Sequence, residues 1–111
     1  MKEQRLARQG DVFLIYRGNE KIEGKEVPPV KGKGLVLAYG EVTGHAHAIR
    51  DYKDVARMLE AENGTRYLEI TETAKLIHEE HSTIPLDPGM WEIRNQQEYN
   101  WQEKAFENVR D

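Results

Sequence analysis

The sequence predicts a small, mostly β single domain spanning residues 1–111, built as an antiparallel barrel or sandwich with a short C-terminal helix. Short apolar runs rich in β-branched and aromatic residues recur along the chain. Turn signals such as Asn63-Gly64 and Pro88-Gly89 separate them, and a helix start signal occurs near residue 100. Many short strands with at most one terminal helix favour antiparallel sheets that stack or close.

The N-terminal half contains two strand signals. Residues 12–16 read Val-Phe-Leu-Ile-Tyr after a glycine, which is typical of a buried strand, and residues 35–39 read Leu-Val-Leu-Ala-Tyr. Residues 1–8 leave a strand, an extended arm and a helical turn open. Residues 18–34 are rich in charge, glycine and proline, so we expect a long exposed loop there. Its lysines could cover an anionic ligand; they are Lys21, Lys25, Lys31 and Lys33.

The C-terminal half predicts a hairpin followed by three further extended segments. Residues 55–62 and 65–70 flank Asn63-Gly64, a dipeptide typical of a tight turn with two positive φ angles, although a helix over 53–61 competes. Residues 71–79 continue as a strand. The sequence Asp-Pro-Gly-Met at 87–90 fits a type II turn that joins 82–86 to 90–94. Asn-Trp-Gln-Glu at 100–103 resembles a capping box and predicts the terminal helix.

Composition excludes several classes of protein. The chain has no cysteine, which excludes disulfides, thiolate metal sites and cysteine nucleophiles. A net charge of -4 and a pI near 5.6 argue against nucleic acid as the main partner. No apolar run reaches the length of a signal core or a membrane span, so we expect a cytoplasmic protein with no membrane partner.

The four histidines form two tight pairs. His45 and His47 lie two residues apart, and His78 and His81 lie three apart, about thirty residues later. Side chains at i and i+2 of a strand point to the same face, so the first pair can aim at one point. Neutral imidazole is the commonest metal ligand. We therefore predict that these four residues bind a divalent metal ion, zinc first, with iron, manganese or nickel as alternatives.

The second pair needs a change in chain direction. On a straight strand His78 and His81 point to opposite faces, so both reach one ion only if the chain bends or bulges at Glu79-Glu80. His78 is in phase with Leu76, which we take as an inward residue, and is the predicted third ligand. His81 is then a fourth ligand or a proton-transfer partner.

The face that carries the first pair depends on the strand that leads to it. If residues 35–49 form one strand, Glu41 shares a face with His45 and His47. A turn or bulge at Gly40 and Gly44 would shift it. Three carboxylates are the predicted catalytic residues, because they can complete a metal shell, orient an imidazole or act as a general base. They are Glu41, Glu79 and Glu80.

Two known metal motifs can be compared with this pattern. The sequence His-Glu-Glu-His at 78–81 is not the zincin motif, whose histidines lie four apart on a helix. The His-x-His at 45–47 after a glycine, with a later Pro-Gly turn, resembles the metal-binding arrangement of the cupins. The resemblance covers residues 40–47 and, loosely, 78–89, and it implies a jelly-roll-type barrel with the ion in its mouth. Cupins place a glutamate shortly after the His-x-His and the last histidine after a Pro-x-Gly turn, whereas here Asp51 stands near the first place and both later histidines precede Pro88-Gly89.

Three functions follow as hypotheses. With three imidazoles and an open position, zinc lowers the pKa of bound water to near neutrality, which suits hydration or hydrolysis of a small-molecule substrate. Four imidazoles close the shell and favour a non-catalytic, metal-stabilised or metal-sensing module, which could be a homodimer through exposed strand edges. The third hypothesis is an accessory nucleic-acid-binding protein that uses the basic loop at 21–33.

Overall fold

The computed structural model of the chain describes residues 5–39 and 45–95. These residues form ten β-strands and no helix, so none of them provides a helix that could span a membrane. The strands are β1 (Leu6–Gln9), β2 (Val12–Tyr16), β3 (Lys25–Val27), β4 (Leu35–Tyr39), β5 (Ala46–Ile49), β6 (Ala56–Glu60), β7 (Arg66–Ile70), β8 (Ala74–Leu76), β9 (Ile84–Leu86) and β10 (Gly89–Asn95). The predicted mostly β, antiparallel fold is confirmed; the helix predicted from residue 100 lies outside the described residues.

The strands form one large and two small antiparallel sheets. The large sheet has six strands in the order β1-β2-β10-β7-β6-β3, while β4 pairs with β5 and β8 with β9. In the described part of the chain these sheets are open, so the closed barrel of the sequence-based prediction is not formed. A bridge between Ala48 and Ile77 joins the two small sheets through backbone hydrogen bonds of 3.0 and 2.8 Å.

Side chains of all three sheets pack into one buried cluster. In β1, β2, β4 and β8 buried residues alternate with more exposed ones, as the two-residue period of a strand predicts. The large sheet contributes Val12, Leu14, Met58, Leu68, Trp91 and Ile93, and the small sheets contribute Leu35, Leu37, Ile49, Leu76 and Leu86. Burial of each such side chain stabilises the fold by about 1.5–3 kcal/mol.

The N-terminal segments differ in part from the predictions. The strands at 12–16 and 35–39 are confirmed, and residues 6–9 form a strand that pairs with β2 through a turn at Gly10, whose φ is 57°. The prediction of loop throughout 18–34 is wrong at β3, which pairs with β6 at the edge of the large sheet. This three-residue strand, Lys-Glu-Val, has no apolar run by which to detect it.

The hairpin around Asn63-Gly64 is confirmed, and the competing helix over 53–61 is wrong. Its turn is not the predicted one. Gly64 has a φ of 91°, but Asn63 is not among the described residues with positive φ. Asn63 instead accepts a hydrogen bond from the Thr65 backbone N–H (3.0 Å), and the loop closes between Ala61 and Thr65 (2.8 Å). The side chain therefore favours a longer loop over the two-residue turn.

Two further connections reverse or redirect the chain. β4 and β5 pair antiparallel, so residues 35–49 are not one continuous strand. Gly40, Glu41 and Gly44 lie outside the described residues. The segment after β9 does not close a hairpin, because β9 pairs with β8 whereas β10 pairs with β2 and β7.

Candidate metal centre

The register of the bridge between the small sheets brings the two histidine pairs together. Ala48 pairs antiparallel with Ile77, so His47 stands opposite His78 and His45 stands opposite Glu80. The ring centres of His47 and His78 are 4.3 Å apart, and His45 Nδ1 lies 3.4 Å from Glu80 Oε1. The pairing of two distant segments thus creates the cluster.

Each of the four imidazole rings lies next to at least one other ring of the cluster. The ring centres are 5.9 Å apart for His45 and His78, 4.6 Å for His78 and His81, and 5.8 Å for His47 and His81. Two imidazoles on one tetrahedral zinc ion, with Zn–N distances of about 2.0–2.1 Å, have ring centres roughly 5 Å apart. The observed ring-centre distances lie around this value, but whether the rings can share an ion depends on the directions of their nitrogens.

Gln9 fixes the tautomer of His47. Its side chain is buried, and its Nε2 donates to the backbone carbonyls of Leu76 and Ser82, both at 2.9 Å. The Gln9 Oε1 atom then faces His47 Nδ1 at 2.9 Å and can only accept a hydrogen bond from it. His47 therefore carries its proton on Nδ1 and presents a lone pair at Nε2, the form that binds metal. Gln9 was not predicted as a site residue from the sequence. Its one signal is that a polar side chain stands two residues after the buried Ala7, on the same face of β1.

The turn between β1 and β2 also lies against the histidines. A Cβ atom at Gly10 would be 2.8 Å from His81 Nε2 and 3.2 Å from His47 Cε1, so glycine allows this close approach. The adjacent carboxylate of Asp11 raises the pKa of His47, against the larger effects that lower it. Asp11 is a second site residue that the sequence analysis missed.

Burial keeps the two inner imidazoles neutral. The pKa of His47 falls to about 4, first because of burial and then because of the neighbouring His78 and His81, with Asp11 and Glu79 opposing the change. Burial, followed by His81, also lowers the pKa of His78. Both rings are thus neutral near pH 7, as metal ligands must be.

The low pKa of His47 predicts acid sensitivity of the metal-free protein. Its folded pKa of about 4 lies below the unfolded value of 6.5, so stability is complete above pH 6.5 and falls as the pH drops toward 4. We expect a loss of roughly 2–3 kcal/mol in the free energy of unfolding. Urea unfolding in chelator at pH 7 and pH 4.5 measures it, and His47→Gln should remove most of the drop. An equal drop in parent and variant would contradict the prediction.

The bend predicted at Glu79-Glu80 is present, and it gives the two carboxylates different roles. The Ala46 backbone N–H donates to Glu79 Oε1 (3.0 Å), and Arg50 Nη2 lies 3.7 Å from Glu79 Oε2. The bond from Ala46 is the main reason that the pKa of Glu79 is lowered. Glu79 therefore holds the bend against β5, which disfavours it as a general base. The Glu80 carboxylate is 58% exposed beside His45, and Glu41 lies outside the described residues.

The atoms that could bind a metal ion do not point to one common position in this structure. Among residues 5–39 and 45–95, no three His, Asp or Glu side chains have atoms placed to hold one ion. The Glu80 backbone N–H donates to His78 Nδ1 (3.0 Å), so neutral His78 carries its proton on Nε2. His45 Nδ1 is buried and has no hydrogen-bond partner in this part of the chain. His47 Nε2, whose lone pair follows from the bond to Gln9, is thus the nitrogen whose state the described contacts fix as that of a ligand.

Comparison with known proteins places the chain in a family without describing an activity. A family model described as a domain of unknown function (DUF8820) matches residues 8–96, which include Gln9 and all four histidines. No curated protein and no solved structure matches the chain.

Proposed function

We propose that this chain, which belongs to the DUF8820 family, is a small metal-binding protein whose histidine cluster holds one divalent ion. The observation that carries the proposal is His47, which is buried, neutral and held by Gln9 with its Nε2 lone pair free. A histidine whose other ring nitrogen is fixed in this way is the usual form of a metal ligand. Zinc is the first candidate, and iron, manganese or nickel would suit the same ligands.

Binding requires one local change at His78. Its bond from the Glu80 N–H has to break in either case, because the ion takes the Nδ1 lone pair or the ring proton moves to Nδ1 and leaves the lone pair on Nε2. A single hydrogen bond contributes about 1 kcal/mol net, whereas a structural zinc ion contributes on the order of 10–16 kcal/mol in small domains. Residues 79–81 are exposed, so they can adjust without disturbing the core.

We favour an open, catalytic site over a closed one. His45, His47 and His78 would supply three nitrogens, and zinc held in this way makes bound water acidic enough to act as hydroxide near pH 7. Glu80, exposed beside His45, is the residue placed to move a proton. Hydration or hydrolysis of a small molecule in the cytoplasm is the activity that fits, and the resemblance to cupins belongs to the same proposal.

A closed, non-catalytic site is the second candidate. His81 contacts both His47 and His78, so it can complete a four-nitrogen shell. In that case the ion would stabilise the fold, or the protein would sense the ion, and no coordination position would remain for water.

Titration of the metal-free protein with zinc, in competition with a chromophoric chelator, tests the proposal. We expect one ion per chain, at least about a hundredfold weaker binding for His47→Ala, and unchanged binding for the control Thr71→Val, whose hydroxyl bonds to Asp54 and Val55 instead. His81→Ala separates the candidates: retained metal fits the open site, and loss of metal and fold fits the closed one. A parent protein that binds no ion would refute both.

A further inference from the structure

We infer a second ligand site, for the phosphate group of a small phosphate ester, in the groove between residues 29–34 and the Arg50–Tyr52 segment. The groove has a volume of about 500 Å³. Its lining residues are Pro29, Val30, Lys31, Gly32, Lys33, Gly34, Arg50 and Tyr52. This inference does not depend on the metal proposal.

The charge of the groove opposes that of the chain. Three cationic side chains, Lys31, Lys33 and Arg50, line it, and its lining residues include no carboxylate, although the protein has a net charge of -4 and Glu79 lies 3.7 Å from Arg50. Clustered side chains of one sign of charge raise the local concentration of ligands of the opposite sign. An anion is therefore the ligand class that fits this groove.

The loop that carries the two lysines is held in place. Val30 and Gly34 exchange backbone hydrogen bonds of 2.7 and 2.9 Å, and the Lys33 N–H donates to the Val30 carbonyl at 2.9 Å. Gly34 has a φ of 90°, and a Cβ there would be 2.3 Å from the Ile49 carbonyl oxygen. Glycine thus lets the loop lie directly on the backbone beside Arg50. A site whose backbone is already ordered loses less entropy when it binds a ligand.

Arg50 and its neighbours suit a phosphate ester more than a bare ion. The guanidinium can donate two parallel hydrogen bonds to phosphate oxygens. Its pairing with Glu79 is long, at 3.7 Å, and partly exposed, so it contributes little and can be exchanged. Pro29 and the 38% exposed Val30 offer apolar surface to the organic part of the ligand.

The remaining loop lysines do not share this site. Lys25, in β3, lines a different groove in which four glutamates outnumber it: Glu23, Glu26, Glu60 and Glu62. An anion is disfavoured there by like-charge repulsion. Of the four loop lysines that could cover an anion, Lys31 and Lys33 line this groove.

The test is a titration of the full ¹⁵N-labelled chain, in chelator and at constant ionic strength, with inorganic pyrophosphate and with adenosine 5′-monophosphate. We expect shifts confined to the amides of residues 30–34 and 50–52. Lys31→Gln/Lys33→Gln should weaken binding at least about tenfold, while Lys21→Gln/Lys75→Gln, which removes the same charge elsewhere, should change it by less than about twofold.

The outcomes distinguish binding at this groove from general attraction between charges. They also distinguish a site for a phosphate ester from a site for free phosphate. Equal losses in the two double variants, or shifts spread over lysines outside the groove, would overturn the site. Binding of pyrophosphate without any binding of the monophosphate would overturn its assignment to an ester. Because chelator is present throughout, the titration is made without bound metal. A negative result would therefore not count against the metal proposal, and the absence of a metal site would not change how the titration is read.

Discussion

Replacing Gln9 with methionine is expected to weaken zinc binding about 10–100-fold, the usual effect of removing a group that orients a metal-ligating histidine. Methionine keeps the volume of the side chain but loses the bonds to His47, Leu76 and Ser82. The His47 ring can then carry its proton on Nε2, which blocks that nitrogen. The lost bonds to the Leu76 and Ser82 carbonyls add a loss of stability of about 0.5–1.5 kcal/mol each.

Ring ¹⁵N chemical shifts separate the change of tautomer from the loss of stability. In the metal-free parent we expect His47 to be protonated on Nδ1, and in Gln9→Met to populate the Nε2–H form. Tyr16→Phe is the matched control, because it removes one side-chain hydrogen bond, to the Pro88 carbonyl, outside the cluster. Unchanged zinc affinity in a folded Gln9→Met protein, or a parent His47 protonated on Nε2, would show that Gln9 does not orient the ligand.

Replacing Trp91 with alanine is expected to lower the free energy of unfolding by about 3–5 kcal/mol. Trp91 is fully buried in β10, between β2 and β7, and its ring centre lies 4.9 Å from that of Tyr16. Its Nε1–H donates to the Asp87 carbonyl at 2.9 Å, so the substitution removes packing and also this hydrogen bond.

Urea unfolding followed by far-UV circular dichroism measures this loss. Trp91→Phe keeps most of the apolar contact but loses the bond to Asp87, so it should cost clearly less than Trp91→Ala. A loss below about 1 kcal/mol for Trp91→Ala would mean that the large sheet does not depend on this residue for its core.

The parts of the fold that could be predicted are those whose signal is local. Residues 12–16 and 35–39 form strands because consecutive apolar residues have to be buried, whatever their partners. β3 could not be predicted, because Lys25, Glu26 and Val27 are ordered by pairing with β6, more than thirty residues later. The prediction of a two-residue turn at Asn63 was wrong for a related reason, because the Asn63 side chain accepts a hydrogen bond from the backbone and favours a longer loop.

The candidate metal centre likewise combines features with a local sequence signal and features that depend on pairing between distant segments. The two histidine pairs and the bend at Glu79-Glu80 are visible in the sequence, since both depend on the direction of neighbouring side chains. The opposition of His47 and His78 depends on the register between β5 and Ile77, which no local pattern encodes. The roles of Gln9 and Glu79 depend in turn on that register, because it decides which backbone groups lie within their reach.

The metal content of the purified, untagged protein tests the central claim most directly. Elemental analysis of the parent and of His45→Ala/His47→Ala, prepared in parallel, should give about one metal ion per chain in the parent and none in the variant. The element found would then direct the activity assays. No metal in either protein, even after incubation with zinc, iron, manganese or nickel, would contradict the account and leave the histidine cluster as a structural group.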